Sequence, residues 1–102
     1  MMVMQRDKRA NLWKATIFSR RGTFEILSRL EKNPMRFSEI YSVFKGSPAT
    51  LSSRLRQLEM LKAIHRDIQV EPGKAITVSY VITEKGKKAL AAYRNFVDIV
   101  SE

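Results

Sequence analysis

Apolar residues recur with a helical period through about residue 61 of the chain and at every second position after that. The helical pattern predicts helices over residues 7–19, 23–33, 38–44 and 48–61, with a short extended segment at residues 35–37. Thr23, Ser38 and Ser47 precede three of them and are predicted N-caps. Pro48 follows Ser47 at the first helical position, where its missing N–H costs nothing.

The second half of the chain predicts a hairpin and a last helix. Apolar residues occupy even positions in two runs, which are Ile64, Ile68 and Val70, then Ile76, Val78, Tyr80 and Ile82. The intervening residues 71–74 have turn chemistry, so we expect a two-stranded hairpin with one buried face. Thr83 is the predicted N-cap of a C-terminal helix over residues 83–100.

This order of elements predicts an α+β fold, mainly α. It is a winged helix-turn-helix with a two-stranded β-hairpin wing and additional N- and C-terminal helices. The chain has 102 residues, enough for one domain, so residues 1–102 are predicted to form a single unit. Within it we expect an N-terminal helix region at 7–22, the winged-helix core at 23–82 and the C-terminal helix at 83–100.

The basic charge is concentrated in the first two thirds of the sequence. Lys and Arg number 19 against 10 Asp and Glu, a net charge of +9, and residues 67–102 balance to zero. A positive field on part of a small protein attracts polyanions, and double-stranded DNA is the partner that we expect. A solubilising basic surface is the alternative.

The helix at 48–61 carries the candidate chemistry. Leu51, Leu55 and Leu58 form one narrow stripe, and the opposite face contains no carboxylate. Arg and Gln can reach base edges from such a face, while short hydroxyl side chains let the backbone approach DNA. The alternative is an ordinary amphipathic helix. The wing at 71–75 is expected to contact the adjacent DNA backbone or minor groove. The candidate DNA-binding residues on and around the helix are Arg36, Ser47, Thr50, Ser52, Ser53, Arg54, Arg56 and Gln57, joined by Lys74 at the wing tip and by Arg20 and Arg21.

Catalysis and metal binding find little support in the sequence. There is no cysteine, and His65 is the single histidine, so we expect no metal site, no cofactor and no enzymatic activity. No apolar run approaches the ~20 residues that cross a bilayer, and the start lacks the long apolar core of a signal peptide. We therefore expect a cytoplasmic protein without a membrane partner.

The stretch RFSEIYSVFKGSPATLSSRLRQLEMLKAIHRD, followed after the wing by VSYVITEKGKKAL, resembles the HxlR-type winged-helix transcriptional regulators. Tyr80-x-x-Thr83-x-x-Gly86 also resembles MarR, PadR and ArsR regulators. The resemblance implies a homodimer, DNA binding through the helix at 48–61, and transcriptional control. It also implies dimerisation through the terminal helices, where the candidate interface residues are Trp13, Ile17, Tyr93, Phe96, Val97 and Val100.

Two departures limit what the resemblance implies. Many HxlR regulators sense through an N-terminal cysteine, which this chain lacks, and residues 44–48 lack the usual apolar residue before the capping serine. Two other functions stay open, a sequence-nonspecific DNA-coating protein and a winged-helix protein-interaction module. The operator, any small-molecule effector and the sense of regulation are not indicated.

Overall fold

The computed structural model describes residues 12–102. Residues 12–18 belong to helix α1, whose predicted start at residue 7 lies outside the described residues. The elements that follow are α2 (Thr23–Lys32), β1 (Met35–Arg36), α3 (Phe37–Val43), α4 (Pro48–Met60), β2 (Ile64–Gln69), β3 (Thr77–Ile82) and α5 (Glu84–Val100). This order confirms the predicted winged helix-turn-helix.

The core lies where α2, α3 and α4 meet the base of the sheet and the first turns of α5. Leu27, Leu51 and Leu55 are almost completely buried, and Ile64 and Leu90 close the core from the sheet and from α5. Because each helix contributes one apolar face to a common centre, the opposite face of α4 is left toward solvent.

The sheet has three strands, in the order β1-β3-β2, rather than only the two that we expected. Residues 35 and 36 were predicted to be extended, and they pair antiparallel with β3, Met35 opposite Tyr80 and Arg36 opposite Ser79. The hairpin itself is confirmed, with Ile64 opposite Ile82 at its base and Gln69 opposite Thr77 near its tip. Gly73, at φ 76°, makes the turn.

The prediction that one face of the hairpin is buried is correct at the base of the hairpin and wrong for its outer part. Ile64 and Ile82 are buried, but Ile68, Val70 and Ile76 are between 57% and 68% exposed. The strands extend beyond the core, so no other described element covers the apolar face of the outer wing.

Two of the predicted helix starts are also wrong. Gly22, in the left-handed region at φ 87°, precedes α2, so Thr23 is the first helical residue and its side chain is buried in the core region. Helix α3 begins at Phe37 rather than after Ser38, and the Arg36 N–H donates to Oε1 of Glu39 at 2.9 Å. A glycine before α2, and a bond from the Arg36 N–H to the Glu39 side chain before α3, take the place of the hydroxyl caps that we expected.

The caps of α4 and α5 are confirmed. The Ser47 hydroxyl accepts from the Thr50 N–H at 3.1 Å, and the Thr83 hydroxyl accepts from the Gly86 N–H at 3.1 Å. Thr83 also ties α5 to the end of α4, because its hydroxyl donates to the Lys62 carbonyl at 2.6 Å and its N–H donates to the Ala63 carbonyl at 3.0 Å.

Helix α4 ends in a Schellman motif without a glycine. The Ala63 N–H donates to the Leu58 carbonyl and the Lys62 N–H to the Glu59 carbonyl, each at 2.9 Å. Lys62 adopts φ 61°, a conformation that costs a non-glycine residue about 1 kcal/mol. The motif turns the chain directly from α4 into the wing.

Candidate nucleic-acid interface

Helix α4 presents an exposed face opposite its three buried leucines, as the sequence predicts. Ala49, Arg56 and Met60 are exposed on this face, and Ser52 and Ser53 are half-buried beside them. Gln57 is half-buried, and its Oε1 is covered without a hydrogen-bond partner among residues 12–102. Arg56 is therefore available to a ligand as it stands, whereas Gln57 must swing outward.

The single carboxylate of α4 is neutralised by the wing. Glu59 forms an ion pair with Arg66 of β2 at 3.2 Å, and this contact joins the flank of α4 to the wing. Tyr80 lies near the pair, and its pKa is raised from the ordinary value of 10.0, first by burial and then by the Glu59 carboxylate, while Arg66 lowers it. A polyanion approaching α4 therefore meets no uncompensated negative charge from this helix.

The first turn of α4 leaves few backbone N–H groups free to bind a ligand. Pro48 has no N–H, and the N–H groups of Thr50 and Leu51 are bonded to the Ser47 hydroxyl and carbonyl. The Ser47 and Thr50 hydroxyls are also bonded to each other at 3.0 Å. These exposed hydroxyls remain able to donate to an added acceptor by rotating.

The turn between α1 and α2 lies against the start of α4. The Phe44 ring packs between Gly22 and Gly46, and a Cβ at these glycines would come within 2.9 and 2.7 Å of the ring. Arg54 Nε donates a long hydrogen bond of 3.4 Å to the Arg21 carbonyl. The structure thus brings the segment carrying Arg20 and Arg21 beside the start of α4, and Phe44 fills the turn whose packing the sequence left open.

Lys74, the predicted DNA contact at the wing tip, forms an ion pair within the protein. Lys74 Nζ pairs with Glu71 Oε2 at 2.9 Å, with both side chains more than half exposed. Arg36 and Lys74 line one small cleft of about 210 Å³ together with Gln69 and Thr77. Arg36 therefore lies with the wing rather than with Arg54 and Arg56.

The C-terminal half of α5 carries apolar side chains that the single chain leaves uncovered. Every residue from 91 to 100 is exposed, including Tyr93, Phe96, Val97 and Val100. Trp13 of α1 is exposed as well, but Ile17 is buried within the chain and does not belong to this surface. Sequence reasoning missed Leu12 and Ile99, which are exposed and whose apolar character was the available signal.

A groove of about 1260 Å³ is lined by α2, α5 and the end of α1. Its floor is aromatic, with Phe24 stacked on Tyr93 at a centroid distance of 4.0 Å and Phe18 at 6.2 Å from Phe24. Arg94 joins the two helices by bonding Glu31 at 2.9 Å and the Ser28 hydroxyl at 3.2 Å. The groove is continuous with the uncovered end of α5.

Within the described part of the chain, no group of three or more His, Asp or Glu side chains is placed to hold a metal ion. None of the helices in residues 12–102 combines the length and the apolar character needed to cross a membrane.

Comparison with solved structures places the fold among transcriptional regulators. A protein from Enterococcus faecalis V583 assigned to the MarR family superposes with a TM-score of 0.78 at 18% identity, covering 92% of this chain and 84% of that one. Diamide-treated YodB from B. subtilis gives 0.72 at 27% identity, covering 81% of each chain. PadR from Bacillus subtilis, in complex with operator DNA, gives 0.61 at 18% identity, covering 72% of this chain and 46% of that one.

A search of curated protein sequences finds no significant match. The profile of the HxlR-like helix-turn-helix family, by contrast, matches residues 17–102, which include α2 to α5 and the whole wing. The chain therefore belongs to the HxlR-like helix-turn-helix family.

Proposed function

We propose that the protein is a dimeric, sequence-specific regulator of transcription that binds double-stranded DNA with α4 in the major groove. The observation that carries the proposal is the exposed face of α4, where Arg56 is accessible and Glu59 is neutralised by Arg66. Membership of a helix-turn-helix family and the likeness to PadR, crystallised with operator DNA, support it.

The proposal divides the site residues by task. Arg56, with Ser52, Ser53 and Gln57, faces base edges, where Arg makes bidentate bonds to guanine. Contacts to phosphates fall to the residues around the start of α4 and to the wing, which are Ser47, Thr50, Arg54, Arg20, Arg21, Arg36 and Lys74. The exposed Lys74–Glu71 pair is worth only about 0–1 kcal/mol, so a phosphate can displace it.

The dimer is proposed to form through α5 and α1. Phe96 and Val100 are each about 60% exposed on a helix of 17 residues, and leaving such side chains in water is unfavourable. A second copy that covers them buries apolar surface on both chains at once. Two α4 helices then enter successive major grooves about 34–36 Å apart on a palindromic site.

Selection of preferred duplexes from a random pool at about 150 mM salt, with excess bulk DNA as competitor, tests the proposal. A recovered palindrome with half-sites one helical turn apart is the expected result. Binding without preference would replace the regulator by a DNA-coating protein, and no binding would favour a protein-interaction module.

Substitution separates the two kinds of contact. Arg56→Ala should weaken binding to the selected site by about 5- to 150-fold, as expected for the loss of one bidentate base contact. The affinity for random DNA should stay nearly unchanged. Arg20→Ala should weaken both and reduce the salt slope by about 1. Lys88→Ala on α5 removes an exposed charge away from the proposed contacts and is the matched control. If Arg56→Ala loses the same affinity for every DNA sequence, Arg56 does not contact base edges.

A further inference from the structure

We propose that Phe44 is a positioning residue for DNA binding, whose ring sets the separation between the α1–α2 turn and the start of α4. The α1–α2 turn is defined as residues 19–22. The inference rests on the proposed function, which gives phosphate contacts to both segments. It adds the residue that holds the two segments together as one surface, and it assigns Phe44 itself no contact with DNA.

The two edges of the Phe44 ring face two different turns of the backbone. A Cβ added at Gly22 would lie 2.9 Å from Cε1 of the ring, and a Cβ added at Gly46 would lie 2.7 Å from Cε2. Neither position can therefore carry a side chain while the ring stays in place. Because the ring fills the whole gap between the two turns, its width sets the distance between them.

Gly46 shows that packing against the ring, rather than backbone conformation, is the constraint. The φ of 87° at Gly22 favours glycine by itself, but the φ of Gly46 is not positive. The three atoms nearest to a Cβ added at Gly46 all belong to Phe44. Gly46 immediately precedes Ser47, the N-cap of α4, so a shift of this glycine moves the start of the helix.

Polar contacts hold the α1–α2 turn against α4 only weakly. The hydrogen bond from Arg54 Nε to the Arg21 carbonyl is 3.4 Å long, beyond the usual range for such bonds. Arg20 and Arg21 are exposed, and within residues 12–102 neither forms an ion pair. Where these two side chains meet a duplex bound to α4 therefore depends on the backbone of the turn, which packs against Phe44.

Phe44→Leu tests the inference, because leucine keeps an apolar side chain but is too narrow to contact both turns. Arg20 and Arg21 should then lose their fixed position beside α4, and the slope of log K against log salt should become shallower by up to about 2. The loss of affinity relative to the unaltered protein should be up to about sevenfold larger at about 50 mM salt than at about 150 mM. The preferred DNA sequence should not change, since Arg56 remains on α4.

Two further variants separate positioning from a general loss of stability. Phe24→Leu is the matched control, because it removes a half-buried ring that stacks on Tyr93 instead, and it should leave the salt slope unchanged. The double variant R20A/R21A sets the largest change in slope that the α1–α2 turn can produce. An unchanged slope in folded Phe44→Leu, beside a reduced slope in R20A/R21A, would overturn the inference and leave the proposed function intact.

Gly46→Ala approaches the same contact from the other side and keeps the test decisive if Phe44→Leu does not fold. Alone, the added Cβ should displace the ring and make the salt slope shallower. Added to Phe44→Leu, it should change the affinity by less than about twofold, because the narrower side chain leaves room for it. Losses that multiply in the double variant would contradict the role of Phe44.

Failure of the proposed function is distinguishable from failure of this inference. If the unaltered protein binds no duplex at all, the proposed function fails and the inference fails with it. If the unaltered protein binds DNA but R20A/R21A leaves the salt slope unchanged, the α1–α2 turn does not contact phosphates. The inference is then wrong, whereas the role of α4 is unaffected.

Discussion

Gly86 lies where the terminal helix α5 crosses the end of α4, and its replacement by alanine should destabilise the protein. A Cβ added there would overlap the carbonyl oxygen of Ala63 and would come within 2.8 Å of Cγ1 of Ile82. The Ala63 carbonyl cannot retreat easily, because it accepts the Thr83 N–H at 3.0 Å. Relief of the overlap therefore requires α5 to move away from the wing base.

The expected net cost is about 1–3 kcal/mol in the free energy of unfolding. Overpacking in a tight interior costs about 1–3 kcal/mol, and loss of the Thr83–Ala63 hydrogen bond adds about 1 kcal/mol. The higher helix propensity of alanine offsets about 1 kcal/mol of this cost. For a domain of this size the midpoint of thermal unfolding should fall by about 4–24 °C.

Thermal unfolding followed by circular dichroism measures this effect at one fixed protein concentration, since the stability of the proposed dimer would depend on concentration. Gly73→Ala is the matched control, because no atom lies within 4 Å of its added Cβ and only the φ of 76° penalises it, by about 1 kcal/mol. A Gly86→Ala protein as stable as the unaltered one would show that the close approach of α5 to Ala63 does not occur.

Further predictions concern the dimer, the end of α4, the core and the pH dependence of stability. Phe96→Ser with Val100→Ser should convert the proposed dimer to a monomer in sedimentation experiments, and Lys85→Ser with Lys88→Ser on the same helix should not. A dimer that persists in the first variant would exclude α5 as the interface. Lys62→Gly should raise the free energy of unfolding by up to about 1 kcal/mol in urea titrations, because glycine adopts φ 61° without strain, and a decrease would argue against the left-handed cap. Leu55→Ala should cost about 2–5 kcal/mol in the same titration, whereas Met60→Ala, on the exposed face of α4, should cost less than about 1 kcal/mol; similar losses would mean that α4 is turned differently. The raised pKa of Tyr80 means that the folded state holds the phenolic proton more tightly than the unfolded state does. The contribution of this proton to the free energy of unfolding is complete below pH 10 and is lost as the pH rises through the folded pKa. Tyr80→Phe should therefore make the loss of stability above pH 10 shallower, and an unchanged pH profile would contradict the raised pKa of Tyr80.

Local signals in the sequence were sufficient where a few neighbouring residues decide the structure. Ser47-Pro48 starts α4 and Thr83 starts α5. In each case the side-chain hydroxyl accepts the N–H of the residue three positions later, so the signal lies within one turn of helix. The same reasoning failed at Thr23 and Ser38, where a hydroxyl stands near a helix start but Gly22 and Arg36 hold the cap position. At the start of α2 the Phe44 ring packs against Gly22, a contact between residues far apart in the chain that the local sequence signal does not include.

The candidate site was found in sequence as a set of residues, and the fold decided which of them lie together. Arg54 and Arg21 are 33 positions apart and meet through the turn before α2, whereas Arg36 joins Lys74 at the wing. Ile17 has the same apolar character as Phe96, yet one is buried in its own chain and the other is exposed. The apolar character of a side chain predicts that it is buried, but it does not predict whether its own chain or a second copy buries it.

By itself, the sequence determined the winged helix-turn-helix, the orientation of α4 and the absence of thiol chemistry, since these follow from periodicity, capping and composition. Only the tertiary structure decided that β1 completes a three-stranded sheet, that Arg66 neutralises Glu59, and that the outer wing and the end of α5 are left uncovered. The physical reason is that these properties depend on how far each element extends beyond the common core, and this distance is fixed by contacts between residues far apart in the chain.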